Sequence, residues 1–201
     1  MKRIGIFGGT FNPPHIAHSI VAESVREQLM LDKILFIPSG NPPLKESIPA
    51  IHRLNMTRLA FGSDRNFKVS DIEFQNVKEK SFTVNTLNKL HEISKNDPVK
   101  FYLIIGVDNL IELPLWKEPE KLFEMSEVVV INRPGFELYE SKTKFADKVK
   151  FVTVPYLEIS SSMIRSHVLK GRSVKYFICE EVESYIERNN LYKSSAAKNV
   201  L

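Results

Sequence analysis

The residues with the clearest chemical potential stand in one short run near the amino terminus, Gly8–His18. The run follows a strand-like segment, opens a helix-like one, and begins with Gly8, Gly9, Thr10 and Phe11. Glycines let a ligand approach the backbone closely, successive backbone N–H groups cradle an anion, and a helix start adds partial positive charge. The run therefore predicts a phosphate site.

Two histidines close this run. His15 and His18 are three residues apart at the predicted helix start, so both side chains can project from one face toward the same oxygen atoms. Imidazoles can donate hydrogen bonds to phosphate, and protonation strengthens those bonds. Spacing alone leaves two alternatives open, namely two unrelated histidines near a helix cap or a metal pair that needs carboxylates nearby. The preceding glycine turn favours the phosphate interpretation, although the run is neither a dinucleotide fingerprint nor a lysine-containing P-loop.

A second run, Ile159–Arg165, contains three consecutive serines before a helical pattern. Serines at this place are also ordinary helix N-caps. Arg165 changes the interpretation, because it lies about one turn inside the predicted helix, where its guanidinium could reach an anion held at the helix N-terminus. Two helix starts would then face one polyphosphate.

The hydrophobic pattern of the sequence predicts the strands and helices that must position these two runs. Six short β-branched or aromatic segments bounded by turn residues are predicted strands: Arg3–Phe7, Ile34–Pro38, Phe67–Ile72, Phe101–Gly106, Val128–Asn132 and Phe151–Pro155. Helical patterns occupy Ile16–Met30, Ile51–Phe61, Val84–Ile93 and Ile178–Asn189. This alternation predicts an α/β fold of the Rossmann-like, doubly wound type, a mostly parallel sheet with helices on both faces. Ligands bind such sheets at the carboxyl ends of the strands, where strand order reverses.

Length and composition narrow the class of protein. The 201 residues suit one domain, predicted over residues 1–192, with a frayed tail at 193–201. A net charge of +4 suits phosphorylated small molecules as well as nucleic acid, so charge does not choose between them. There is no apolar run of membrane-spanning length and no signal-peptide core, and the single cysteine, Cys179, has no partner for a disulfide or a zinc site. A cytoplasmic protein is expected.

The two runs together resemble the two signatures of the nucleotidyltransferase superfamily, and the chain is most similar to the bacterial nicotinate-nucleotide adenylyltransferase family. Further segments agree with that family: Pro42–Lys45, Ser81–Leu87, Ile105–Asp108 and Leu113–Trp116. The resemblance implies transfer of AMP from ATP to nicotinate mononucleotide, by in-line attack without a covalent intermediate. Deamido-NAD, for NAD biosynthesis, and pyrophosphate would be the products. It also implies Mg²⁺ held mainly by the ATP phosphates without a protein metal site, and small-molecule substrates, with no nucleic acid or membrane as partner.

The resemblance implies roles for individual residues. His15, His18 and Arg165 are expected to be catalytic. The residues expected to bind ATP are Gly8, Gly9, Thr10, Phe11, Gly106, Asp108, Ser161 and Ser162. Those expected to bind the acceptor are Lys45, Thr83, Trp116 and Arg133. Structural alternatives stay open for several: surface positions for Lys45 and Arg133, helix N-caps for Thr83 and Asp108, and cover for the edge of the core for Trp116.

Rival functions remain at this point. Nicotinamide mononucleotide differs from the expected acceptor by one amide in place of a carboxylate, and related transferases use phosphopantetheine, flavin mononucleotide or glycerol phosphate. A non-catalytic nucleotide-binding or nucleic-acid-binding module belongs to a different class, because a fold by itself never establishes activity. The presence of both histidines and of Arg165 favours an active enzyme. The absence of a recognisable nucleic-acid motif disfavours nucleic-acid binding.

Overall fold

A single parallel sheet forms the centre of the molecule, in a computed structural model that describes residues 1–42, 47–75, 79–132 and 143–193. In this part of the chain the strands are β1 (Lys2–Gly9), β2 (Lys33–Pro38), β3 (Phe67–Val69), β4 (Val99–Gly106), β5 (Glu127–Ile131) and β6 (Lys150–Val152). Their order is β3-β2-β1-β4-β5-β6, and all neighbouring pairs are parallel. This is the predicted Rossmann-like, doubly wound arrangement.

The helices of the described residues connect these strands. They are α1 (Ile16–Gln28), α2 (Ala50–Phe61), α3 (Thr83–Ile93), α4 (Val107–Glu112), α5 (Pro119–Met125), α6 (Ser161–Leu169) and α7 (Glu180–Arg188). Short 3₁₀ turns occupy Ile72–Phe74, Leu113–Leu115 and Ala146–Lys148. The predicted helices are confirmed to within two residues at each end. The patterns did not predict α4 and α5, because helices of six and seven residues are too short to show a full period.

The prediction that the third strand reaches Ile72 is wrong. Only Phe67, Lys68 and Val69 pair with β2, after which the Ser70 N–H donates to the Phe36 carbonyl oxygen and the chain turns. Ile72 begins a 3₁₀ turn and its side chain is buried there. Its apolar side chain therefore packs in the core beneath the turn, and it is not part of a strand.

The ends of the last two strands also differ slightly from the prediction, and Asn132 is the reason. Its side-chain amide accepts from the Val154 N–H at 2.6 Å and donates to the Val154 carbonyl oxygen at 3.0 Å. A buried side chain just beyond the end of β5 thus satisfies the backbone N–H and carbonyl oxygen of Val154 beyond the end of β6, where strand pairing would otherwise continue.

Both faces of the sheet are buried, as a doubly wound sheet requires. Along β4, Leu103 and Ile105 pack with α3 in one cluster, and the alternating Tyr102 and Ile104 pack with α1 in a second cluster. A third cluster joins α2, α6 and α7 through side chains that include Met56, Ile164, Val182 and Ile186. Among the described residues, no helix is long and apolar enough to cross a membrane.

Strand order reverses between β1 and β4, the two central strands. Their register pairs Phe7 with Ile104, so Gly9 and Gly106, each two residues further along, lie side by side at the carboxyl ends. The glycine run after β1 and the segment after β4 therefore meet at the edge where ligands bind in open α/β sheets.

Candidate active site

The loop after β1 is anchored by Phe11. This residue adopts a left-handed backbone conformation (φ 47°), and its side chain is 2% exposed. Its ring packs against Phe36, Phe61 and the imidazole of His18, whose centroid lies 5.0 Å away. A Cβ atom on Gly9 would come within 3.0 Å of the Phe11 ring, which explains a glycine there. The Phe11 side chain is thus part of the core, and only its backbone is suited to a ligand.

The two histidines lie together at the start of α1. His15 is the N-cap residue, His18 is in the first turn, and their ring centroids are 3.7 Å apart. The backbone N–H of His15 donates to Nδ1 of His18 at 3.1 Å. Since Nδ1 accepts this bond, neutral His18 carries its proton on Nε2, which is then a hydrogen-bond donor. Among the described residues no group of three or more His, Cys, Asp or Glu could hold a metal ion.

The serine-rich run caps α6 and ties it to the loop after β1. Ser160 is the N-cap and accepts from the Met163 N–H at 3.2 Å, as the N-cap alternative predicted for a serine in this run. Ser161 Oγ donates to the Pro13 carbonyl oxygen at 2.8 Å, and Arg165 Nη1 donates to the Asn12 carbonyl oxygen at 2.8 Å. The N-terminal ends of α1 and α6 are thereby joined across sequence separations of 148 and 153 residues.

A cavity of about 440 Å³ opens beside the β1–β4 switch point. That volume is in the range of small-molecule sites. Six of the predicted site residues line it: Gly8, Gly9, Thr10, Thr83, Gly106 and Trp116. The other described site residues do not line this cavity: Phe11, His15, His18, Asp108, Ser161, Ser162 and Arg165. The structure thus separates the predicted residues into a cavity group and a group around the N-termini of α1, α4 and α6.

The N-cap alternatives for Thr83 and Asp108 are wrong. Thr83 is the first residue of α3, whose N-cap is Phe82, and Asp108 is in the first turn of α4, whose N-cap is Gly106. A Cβ atom on Gly106 would come within 2.4 Å of Asp108 Oδ1, so the carboxylate lies close over the glycine. Trp116 is half-buried; it packs against the core cluster that contains Leu103 and also lines the cavity. Lys45 and Arg133 lie outside the described residues.

Comparison with known proteins agrees with this geometry. The cytidylyltransferase-like family model matches residues 6–167 of the chain. The chain belongs to the cytidylyltransferase-like family. The match covers the loop after β1 and α6, the two places where the sequence signatures stand.

Within the cytidylyltransferase-like family, the chain groups with the nicotinate-nucleotide adenylyltransferases, as its motifs predicted. It is 38% identical to a probable enzyme of that name from Lachnoclostridium phytofermentans, over 96% of the chain and 100% of the relative. It is 39% identical to another from Exiguobacterium sibiricum, over 94% and 98%. Among solved structures, the nicotinic acid mononucleotide adenylyltransferase of Plasmodium falciparum, complexed with NaAD, has a TM-score of 0.80 at 26% identity. That alignment covers 96% of the chain and 98% of the Plasmodium protein.

Sequence patterns did not point to Arg53, which the structure buries against the loop after β1 and the loop after β2. The side chain is 1% exposed and donates to the carbonyl oxygens of Thr10 and Gly40 at 3.1 Å each, and of Ile48 at 3.3 Å. Burial lowers the pKa of Arg53, while Tyr192 and Glu73 favour its charged form. An arginine in an amphipathic helix pattern is normally a surface residue, so the sequence held no signal for this role.

Sequence patterns also did not point to Glu73, which directly follows the predicted strand Phe67–Ile72. It accepts from Thr86 Oγ1 at 2.6 Å and from the Gly40 N–H at 3.3 Å, and it lines the cavity. The Gly40 peptide therefore has an arginine at its carbonyl oxygen and a glutamate at its N–H. This pair of charges fixes the start of the segment that carries Lys45.

Proposed function

We propose that the chain is a nicotinate-nucleotide adenylyltransferase, which transfers AMP from ATP to nicotinate mononucleotide and forms deamido-NAD and pyrophosphate in NAD biosynthesis. The main observation is that both phosphate signatures meet at the strand-order reversal, next to a cavity of about 440 Å³. The names of the relatives support the same reaction, and the Plasmodium falciparum protein with the same fold is described in complex with NaAD.

Two residues of the cavity group, Thr83 and Trp116, would receive the acceptor. Thr83 begins α3, where backbone N–H groups point out of the helix end and favour a carboxylate. Trp116 presents an aromatic wall to the same cavity, suited to a pyridine ring. Lys45 and Arg133 remain predictions for binding the acceptor phosphate or the reacting phosphates.

The second group would receive ATP. The backbone of Gly8, Gly9 and Thr10, which lines the cavity, would hold phosphates of both substrates together with the backbone of Phe11. His15 and His18 would contact the α-phosphate and pyrophosphate, and the α6 N-terminus with Ser161, Ser162 and Arg165 would hold the triphosphate tail. Gly106 and Asp108, which lie close together, would meet the adenosine portion, and the Asp108 carboxylate would accept a ribose hydroxyl.

The reaction needs alignment more than proton transfer. A phosphate monoester is already ionised near neutral pH, so its oxygen attacks the α-phosphorus of ATP without a strong general base. The new P–O bond forms as the bond to the bridging oxygen breaks, and pyrophosphate leaves with that electron pair. The histidines and Arg165 stabilise the charge that develops on the phosphates.

Mg²⁺ is part of this proposal as an ion held by substrate. The described residues contain no cluster of three or more His, Cys, Asp or Glu for a metal, and Mg²⁺ at phosphate sites is held largely by phosphate oxygens and water. Bound in this way, it would neutralise phosphate charge. We further propose that residues 1–192 form one nucleotidyltransferase domain that acts in the cytoplasm.

Pyrophosphate release from ATP and Mg²⁺ tests the proposal, with nicotinate mononucleotide, nicotinamide mononucleotide or no acceptor. We expect a higher kcat/KM with the nicotinate form, because the start of α3 offers hydrogen-bond donors to a carboxylate. Equal or reversed ratios would contradict the proposed acceptor. A folded protein that releases no pyrophosphate with either acceptor would contradict the proposed function and favour another phosphorylated acceptor or a nucleotide-binding module without turnover.

A further inference from the structure

Tyr192, four residues after the end of α7, reaches the loop that follows β1. Its hydroxyl group donates to Asn12 Oδ1 at 2.7 Å, across a sequence separation of 180 residues. Asn12 is 7% exposed, so this hydrogen bond satisfies a buried polar group. Burial raises the pKa of the Tyr192 phenol, and the hydroxyl therefore keeps its proton throughout the neutral range.

Asn12 links Tyr192 to Arg165. Its side chain accepts from Tyr192, and its carbonyl oxygen accepts from Arg165 Nη1 at 2.8 Å. The next residue, Pro13, accepts from Ser161 at the N-terminus of α6. The guanidinium carries five N–H donors in a rigid fork, so a bond from one nitrogen fixes the direction of the others. The position of Asn12 thus sets the direction in which Arg165 can meet an anion.

The position of Tyr192 is set by packing. Beyond α7, Asn190 adopts a left-handed conformation (φ 50°), and the Leu191 N–H donates back to the Ile186 carbonyl oxygen at 3.0 Å. Leu191 is 8% exposed and belongs to the cluster of α2, α6 and α7. This turn brings the chain back toward the site. Burial raises the pKa of the Tyr192 phenol, and the positive charges of Arg165 and Arg53 oppose that rise.

We propose that Tyr192 is a positioning residue for adenylyl transfer, whose hydroxyl group holds Asn12 and thereby aligns Arg165 on the ATP side of the site. This proposal rests on the proposed function. Without the hydroxyl, Asn12 Oδ1 would be left buried without this bond, and the loop would shift to satisfy it. The acceptor cavity, with Thr83 and Trp116, lies outside this set of contacts.

Tyr192→Phe removes one oxygen atom and is the main test variant. Tyr185→Phe is its matched control, because Tyr185 lies on α7 and its hydroxyl bonds to His52 and Asn55, away from the loop after β1. We expect Tyr192→Phe to lower kcat/KM for ATP about tenfold, the effect of one lost hydrogen bond to a buried group. The acceptor KM should stay within about twofold of wild type. Tyr185→Phe should leave both of these constants within about twofold of wild type. A general loss of stability, or an effect common to the loss of any tyrosine hydroxyl, would instead change both variants alike.

Two further variants keep the test decisive if Tyr192→Phe folds poorly. Asn12→Ala removes the same hydrogen bond from the other side while keeping the backbone carbonyl that Arg165 uses, so it should reproduce the ATP-side loss. In an Arg165→Lys background, either change should lower kcat/KM for ATP much less than it does in wild type. The reason is that the guanidinium whose alignment depends on Asn12 has already been removed. Three results would overturn the proposal. They are fully additive effects of the Tyr192 and Arg165 changes on kcat/KM for ATP, a rise in the acceptor KM of Tyr192→Phe as large as that in the ATP KM, and a wild-type kcat/KM for ATP in Tyr192→Phe.

ATP binding separates this proposal from the proposed function. The rise in Tm caused by ATP and Mg²⁺ needs no acceptor, and it should be smaller in Tyr192→Phe than in wild type or Tyr185→Phe. One outcome is that wild type shows no transfer of AMP to nicotinate mononucleotide while the rise in Tm with ATP is still smaller in Tyr192→Phe. In that case the proposed acceptor is wrong and the role of Tyr192 in positioning Arg165 stands. If transfer occurs and the Tm rises are equal in all three proteins, the role of Tyr192 is wrong and the function stands.

Discussion

At the scale of single residues, His18 is the clearest example of a side chain set for its chemistry by the backbone. The N–H of the N-cap residue His15 holds Nδ1, so the proton of the neutral ring is on Nε2. A donor fixed in this way needs no reorganisation when charge develops on a phosphate, which is the condition for stabilising a transition state more than a bound substrate.

His18→Ala should therefore act mainly on kcat. Loss of one preorganised donor typically costs on the order of 10²–10³ in rate, or about 3–4 kcal/mol, whereas the KM for ATP should rise only modestly. Steady-state kinetics measure this, and an unchanged far-UV CD spectrum and Tm are the control for folding. A folded variant that keeps more than about a third of wild-type kcat would exclude the role, since that loss is under ~1 kcal/mol.

Trp116 distinguishes the acceptor side from the ATP side. It lines the cavity while packing against the core cluster that contains Leu103. Trp116→Ala should raise the acceptor KM much more than the ATP KM, because an aromatic wall for the pyridine ring is lost. Trp116→Phe, which keeps an aromatic face, should recover part of the affinity. Equal increases in both KM values, or a fall in Tm alone, would show that Trp116 only covers the core.

At the scale of elements, α2 and the Ile72–Phe74 turn contact and support the loops that form the site. Arg53 of α2 bonds to carbonyl oxygens in both the loop after β1 and the loop after β2, at Thr10 and Gly40. A Cβ atom on Gly40 would come within 2.2 Å of the Glu73 carbonyl oxygen, so the turn and the loop pack backbone to backbone. The two loops are thus fixed to each other by one buried cation.

Arg53→Lys should destabilise the protein even though the charge is kept. An ammonium group cannot span three carbonyl oxygens as the planar fork does, and each buried group left unsatisfied costs about 1–3 kcal/mol. The control is Arg58→Lys on the same helix, where the half-exposed pair with Asp71 is worth at most about 1 kcal/mol. Urea unfolding at neutral pH compares the two. Equal losses in the two variants would contradict the structural role of Arg53.

At the scale of the whole molecule, the site depends on both ends of the chain. The loop after β1 supplies Asn12 and the histidine pair, and the segment after α7 supplies Leu191 and Tyr192. Residues 194–201 lie outside the described residues, and the sequence predicts that they fray. The functional boundary is therefore predicted to fall directly after Tyr192.

Truncation tests this boundary. A chain ending at Lys193 should keep wild-type activity and stability, whereas one ending at Arg188 loses the buried Leu191 together with the hydrogen bond from Tyr192. We expect the shorter chain to lose about 2–5 kcal/mol of unfolding free energy from the apolar side chain alone. Urea unfolding and pyrophosphate release measure the two effects. Full activity in the shorter chain would exclude a role for the C-terminal segment.

Both the architecture and the place of the site could be predicted from local patterns in the sequence. Alternating strand and helix patterns are local, and a parallel βαβ chain has few ways to fold, so the doubly wound sheet followed from periodicity. The glycine run and Arg165 could also be recognised in the sequence. A phosphate site at a helix start needs particular residue types at short, fixed spacings, and these are local in sequence. Even the closeness of His15 and His18 followed from their spacing on one turn.

The contacts that hold these parts together arise from long-range packing. The apolar Ile72 was predicted to belong to a strand, but the edge of the sheet ends at Val69 and the residue is buried under a turn. Arg53 and Tyr192 carried no sequence signal, because a polar side chain in a helix pattern or after it gives no sign of being buried. Their contacts with Thr10 and Asn12 depend on how α2 and α7 pack against the rest of the chain, and local periodicity contains no information about packing across 43 or 180 residues.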